Sequence, residues 1–108
     1  LIEVKDGQVV VTYTPGQWPV GVLTGHEGAN GFFLEHVITF PGANAGDLVG
    51  MLSHGFQVAR ERKYAFVAFR IAKGYPTERK LTVAARWFGF TLYYEDDTMR
   101  HYVLHLEA

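Results

Sequence analysis

Cysteine is absent from this chain. Its absence removes disulfide staples, thiolate nucleophiles and Cys-based zinc sites together, and suits a reducing compartment. Long apolar runs are missing too: none approaches the ~20 residues that a membrane-spanning helix needs. No signal peptide is visible. The expected location is the cytoplasm, with no membrane partner. Because the chain begins at Leu1 rather than Met, a native extension ahead of it stays open. Net charge is also scarce, at −1. A domain that is not basic as a whole argues against nucleic acid as a partner.

What is present points to one globule. The 108 residues are 48% hydrophobic, 15% aromatic and 19% charged, which suits a single folded domain over 1–108 with one core. The charge is unevenly placed. Between Arg60 and Arg86 eight cations stand against Glu61 and Glu78 alone. That band suits either an anionic ligand or a solvated set of helix ends and loops.

The chain divides around residues 32–63. Phe32 to Phe40 (FFLEHVITF) reads as a central strand covered on both faces. Pro41 ends it, and a glycine-containing loop follows. Asp47 is expected to cap a helix over 48–63, with Leu48, Met51, Leu52, Phe56 and Ala59 as its core stripe. Tyr64 to Ala72 is a second apolar strand. Strand, helix and strand in this order predict a right-handed crossover between parallel strands. Upstream, Asp6-Gly7 marks a hairpin between Leu1–Lys5 and Gln8–Thr14. Val20 to Thr24 is a short strand. Gly25, Gly28, Asn30 and Gly31 mark a turn that exposes Glu27. Downstream, Thr77 caps a helix over 78–88, with Leu81, Ala84, Ala85 and Phe88 inward and Gly89 as its stop. Phe90–Glu95 and Met99–Leu106 close the sheet. The fold class is α/β (α+β): a mixed, mostly antiparallel sheet with one central parallel βαβ step.

This order, together with the junction TVAARWFGF and its Gly89-Phe90 pair, resembles the C-terminal two-thirds of a GNAT-type N-acetyltransferase. The resemblance spans Val9 to Leu106 and implies a GNAT-like domain shortened at its N-terminus, lacking the two helices that usually build the acceptor side. Shortened domains of this kind are familiar in phage, which extends the expected cytoplasm to that of a bacterial or phage-infected cell. The family holds acetyl-CoA between its parallel strands, with the pyrophosphate on the loop and helix start that follow. Here those positions are Phe40, Gly42, Ala43, Asn44, Ala45, Gly46, Asp47 and Leu48. The usual Arg/Gln-x-x-Gly-x-Gly/Ala signature is not matched by PGANAGDLVGM, and Asp47 places a carboxylate where the pyrophosphate would lie. The family's proton-donating Tyr falls at Ala85, which cannot transfer a proton.

The resemblance implies Glu35 as general base, acting on the acceptor amine directly or through water. Coverage of its strand would raise its pKa. The competing expectation pairs Glu35 with Arg70 or Arg86. Adjacent Glu35 and His36 should point to opposite faces. His101 and His105 lie roughly 13 Å apart along a strand, and His26 and His54 have no partner at ligand spacing, so no metal site is expected. Trp18, Tyr13, Phe32 and Phe33 suit core packing, a pocket or a dimer seam. Two functions stay open. One is an acyl-CoA-dependent N-acetyltransferase acting on a small-molecule amine or a protein amine. The other is a non-catalytic GNAT-fold module for protein binding. An uncovered sheet face implies a homodimer or a larger protein partner in either case.

Overall fold

The computed structural model describes residues 2–76 and 78–106. The side chain of Ala45 and the whole of Thr77, the expected cap of the second helix, lie outside the described residues. Among those described, the order is β1 (Ile2–Lys5), β2 (Gln8–Tyr13), β3 (Gly21–Gly28), β4 (Gly31–Thr39), α1 (Ala45–Glu61), β5 (Phe66–Ala72), α2 (Glu78–Trp87), β6 (Thr91–Glu95) and β7 (Met99–His105). These strands form one sheet in the order β1-β2-β3-β4-β5-β7-β6. All neighbours run antiparallel except β4 and β5, which are parallel across α1. The expected mixed sheet with one parallel step is the observed one.

The β1–β2 turn is Asp6-Gly7, with φ of 52° and 79°, the double positive φ of a two-residue hairpin. It joins the two strands directly and leaves no helix between them. The next turn departs from expectation. Gly25 and Gly28 belong to β3, which pairs with β4 through to Gly28–Gly31, and the turn is Ala29-Asn30. Glu27 is therefore a strand residue, half-buried rather than looped out.

Helix α1 starts three residues earlier than the sequence suggests. Its N-cap is Asn44, not Asp47, and Asp47 sits at N3. The two form a reciprocal capping box: Asp47 N–H donates to Asn44 Oδ1 and Asn44 N–H to Asp47 Oδ2, each at 3.0 Å. Met51, Leu52, Phe56 and Ala59 are buried as their spacing predicts, but Leu48 is 37% exposed because it precedes the sheet contact. Lys63, with φ of 63°, turns the chain out of the helix.

Both helices lie on one side of the sheet. Methyl and ring contacts place α1 over Leu23, Val9 and Val11, and Phe56 meets Phe88 and Phe90 at the end of α2 at 5.0 and 5.4 Å. Phe90 in turn touches Phe69 of β5. The strand residues buried in this core, from Val9, Val11 and Leu23 to Phe32, Val67, Ile71 and Tyr102, share that face by register. The opposite face has no helix over it among the described residues. So β4 is covered on one side only, and its second half is largely exposed.

Charge fastens the far end of the sheet. Arg100 reaches Glu78 at 2.7 Å, and Lys73 reaches Glu95 at 2.6 Å. The Gly74 N–H, then Arg100, holds the Glu78 carboxyl below its ordinary value. Lys73 does the same for Glu95, and the Thr98 and Met99 N–H groups for Asp96. Lowered carboxyls stabilise the fold while ionised. Their contribution is complete above the ordinary carboxylate range and is lost as pH falls through it to the native values. Between about pH 7 and about pH 3 the melting temperature is expected to fall. In Arg100→Gln the fall should be shallower, because Glu78 and Glu95 lose part of what lowers them. Parallel acid curves for the two proteins would refute this assignment.

Candidate functional site

The site begins where β4 and β5 part. Their parallel pairing holds only Phe32 with Val67 and Phe33 with Ala68. Beyond that, β4 pairs with β3 alone up to Thr39, and β5 with β7 alone up to Ala72. Two strand edges thus diverge in the middle of a sheet, each carrying backbone N–H and C=O groups that the other does not meet. Such groups want partners. A slender ligand bearing amides, such as the pantetheine arm of a CoA thioester, has the chemistry to supply them.

A bulge beside the gap sets the side chains. Thr24 faces His36 while Gly25 faces Leu34, which leaves Glu35 as an extra residue in β4. The inserted residue cancels the usual alternation. Glu35 and His36 consequently share the open face instead of pointing apart. His36 Nδ1 lies 3.3 Å from Thr24 Oγ1, and Glu35 Oε1 lies 3.3 Å from His26 Nδ1. The partner of Glu35 is therefore His26, not Arg70 or Arg86. Nearly half of the Glu35 side chain is exposed, at 46%, because no helix covers this face among the described residues. The His26 ring stacks on Phe33, with centroids 5.0 Å apart and planes 13° from parallel.

Next to Phe33 the open face carries a groove of about 350 Å³, lined by Phe33, Phe66, Ala68, Tyr93, Val103 and His105. Phe66 lies over Gly31, where any Cβ would fall 2.3 Å from the ring. Trp18, by contrast, is 77% exposed in the β2–β3 loop, Phe32 is in the core, and Tyr13 packs on His54.

The helix start beyond β4 is the other end of the candidate site. Phe40 is tied by its N–H to Val20, and Ala43 by its N–H to Phe40. Gly42 takes φ of 94° with open space around it. Asn44, Gly46, Asp47 and Leu48 follow at the cap and first turn. The N-terminal dipole end of α1 suits an anion. Asp47, however, already offers its carboxylate to Asn44 there and opposes a second negative group. The strand gap thus offers backbone partners to an amide-bearing group, while an anion at the helix start would meet the Asp47 carboxylate.

Ala85 is 3% exposed and faces the core, so the position where the family carries its acid is filled by packing. At the opposite end of β4, Tyr64 donates to Glu27, Arg62 Nε donates to the Tyr64 hydroxyl at 3.1 Å, and Arg62 lies 3.5 Å from Glu27. Burial, then the bond to Glu27, raises the Tyr64 pKa. This triad latches the end of α1 to the β3–β4 hairpin. Among the described residues no group of three His, Asp or Glu is placed to hold a metal, and no helix is long and apolar enough to cross a membrane.

Sequence reasoning missed His26, which it placed in a turn. The available signal was Gly25: a glycine inside a strand often marks a bulge or a close backbone approach.

No protein-family model matches the sequence, and no curated protein matches it. Solved structures do match. The ribosomal-protein-S18-alanine N-acetyltransferase of Escherichia coli superposes with a TM-score of 0.76 at 11% identity, over 97% of this chain and 73% of its own. The PaiA N-acetyltransferase of Thermoplasma acidophilum, in complex with coenzyme A, gives 0.75 at 9% identity over 93% and 62%. The PseH N-acetyltransferase of Campylobacter jejuni, in complex with acetyl coenzyme A, gives 0.73 at 13% identity over 95% and 71%. The fold of this chain is the GNAT acetyltransferase fold.

Proposed function

We propose that this domain binds an acyl-CoA and transfers its acetyl group to an amine. The observation that carries this reading is the pair of strand edges that diverge after Phe33 and Ala68. The pantetheine arm lies between them, its amides bonded to backbone groups of β4 and β5. Phe40 to Leu48 receive the phosphates. The acceptor amine, on a small molecule or a protein, approaches over the open face along the groove beside Phe33. Glu35 supplies the negative charge that draws its proton. The departing sulfur takes a proton from solvent water, since Ala85 offers none.

A thermal-shift titration tests the reading. A ligand that binds only the folded chain raises the melting temperature by mass action. CoA and acetyl-CoA at millimolar concentration are expected to do so, and no shift would reject the proposal. Asp47→Asn keeps an oxygen for the Asn44 N–H but removes the charge. Removing that charge relieves a like-charge repulsion of about 1 kcal/mol at contact distance in water, so this variant should bind CoA roughly five-fold more tightly. The gain should shrink as salt is added.

The alternative is a GNAT-fold module that binds protein without catalysis, as a homodimer or within a larger assembly. The capped helix start and the uncovered aromatic groove favour it. It predicts no CoA shift and a sedimentation mass above that of one chain.

A further inference from the structure

The placement of His26 carries a role that residue type alone assigned to Glu35. We infer that His26 is the group that takes the proton from the acceptor amine, and that Glu35 is its positioning residue. The inference rests on the acyl-transfer reading above and deepens it.

Three observations converge on His26. Its Nδ1 lies 3.3 Å from Glu35 Oε1, a contact made by the bulge that swings Glu35 onto the open face. Its ring is held flat against Phe33. Its side chain is 46% exposed, and among the described residues no hydrogen bond occupies Nε2. A carboxylate on Nδ1 keeps the proton there and leaves Nε2 with a free lone pair. That is the arrangement of an oriented general base. The His26 ring stacks on Phe33, which lines the groove and is the last residue of β4 paired with β5.

The step balances as follows. The amine nitrogen forms a bond to the carbonyl carbon of the acyl-CoA thioester. The carbon–sulfur bond breaks, and its electron pair leaves on sulfur. The amine proton passes to His26 Nε2, giving an imidazolium held by the Glu35 carboxylate, and solvent water protonates the sulfur. His26 then returns its proton to water. The titratable groups around His26 are few. β2 presents only Gln8, Val10 and Thr12 to this face, and β4 presents Glu35 and His36. Lys5 and Glu3 of β1 lie beyond Gln8 and Val10, and across β4 stand Arg70 of β5 and the β7 histidines.

The test combines three readouts on the full chain. In the free protein, nitrogen-resolved NMR should find neutral His26 protonated at Nδ1. In Glu35→Ala it should revert to Nε2–H, the form favoured by free imidazole. CoA should raise the melting temperature equally in wild type, His26→Gln, Glu35→Ala and the control His101→Gln. Transfer from acetyl-CoA to 2-phenylethylamine should fall about 10²–10⁴-fold in His26→Gln, with loss of the acidic limb of the pH–rate profile. Glu35→Ala should be slowed yet keep that limb, and His101→Gln should match wild type. A wild-type His26 protonated at Nε2, or a His26→Gln variant within two-fold of wild type with its acidic limb intact, overturns the assignment while a CoA shift leaves acyl transfer standing. A wild type that neither shifts with CoA nor transfers acetyl overturns both.

Discussion

Phe56→Ala is expected to cost about 3–5 kcal/mol of stability. A domain of this size has only ~5–15 kcal/mol in total, so the variant should sit near the edge of folding. The expectation follows from where the ring lies. Phe56 is 5% exposed and is the one α1 ring that meets both Phe88 at 5.0 Å, edge-on, and Phe90 at 5.4 Å. Phe90 passes the contact to Phe69, which stacks on Tyr102. This chain of rings ties α1, the end of α2, β5 and β7 together. Alanine leaves a void the size of a ring, and the β5–α2–β6 passage has no other aromatic link to α1 among the described residues. Urea unfolding measures the loss, and the melting temperature should drop on the order of 10–20 °C. Phe56→Leu, which keeps most of the volume, should recover more than half. A loss below about 1 kcal/mol for the alanine variant would mean that the neighbouring rings close the gap.

The second large effect is expected at Gly25, for the opposite reason. A Cβ there would sit 2.1 Å from the Phe33 carbonyl oxygen and 2.7 Å from the Phe32 ring. The oxygen belongs to the backbone of the neighbouring strand, so it cannot rotate away. Either β3 separates from β4 or the pairing slips. Gly25→Ala should therefore cost about 3 kcal/mol, the upper part of the range for overpacking. Gly16→Ala, which meets nothing within 4 Å, should be neutral within about 0.5 kcal/mol. Gly25 also faces the bulge. If the strain moves the extra residue of β4, Glu35 loses His26, and the NMR signature of the His26 tautomer should change along with stability. A stable Gly25→Ala with an unaltered His26 signal would show that the strands have slack at this point.

Much of the fold was legible. Asp6-Gly7 and the valines after it read directly as a hairpin, since turn and strand preferences act over a few residues. The 3.6 spacing of Met51, Leu52, Phe56 and Ala59 read as a buried stripe for the same reason. Small errors came from neighbours of equal local merit. Asn44 and Asp47 are both good caps, and only the geometry of the loop from Phe40 selects Asn44. Leu48 fits the stripe by spacing but lies ahead of the sheet edge. The β3–β4 turn was misplaced because Gly25 and Gly28 look like turn residues. In fact Gly25 is needed for close strand approach, and the chain reverses at Ala29-Asn30 with φ of 48° and 68°.

The candidate site was legible in part. Its location, at the parting of two parallel strands ahead of a helix, follows from element order. Its chemistry does not, because alternation along β4 predicts Glu35 and His36 on opposite faces.

By itself, then, the sequence determined the elements, the parallel step and the position of the gap, because periodicity and turn chemistry are written within short windows. The tertiary structure alone decided that a bulge turns Glu35 toward His26 and that Asp47 closes the helix start. Each depends on which residue of one segment lies against which residue of another, and that pairing is set by the packing of the whole sheet.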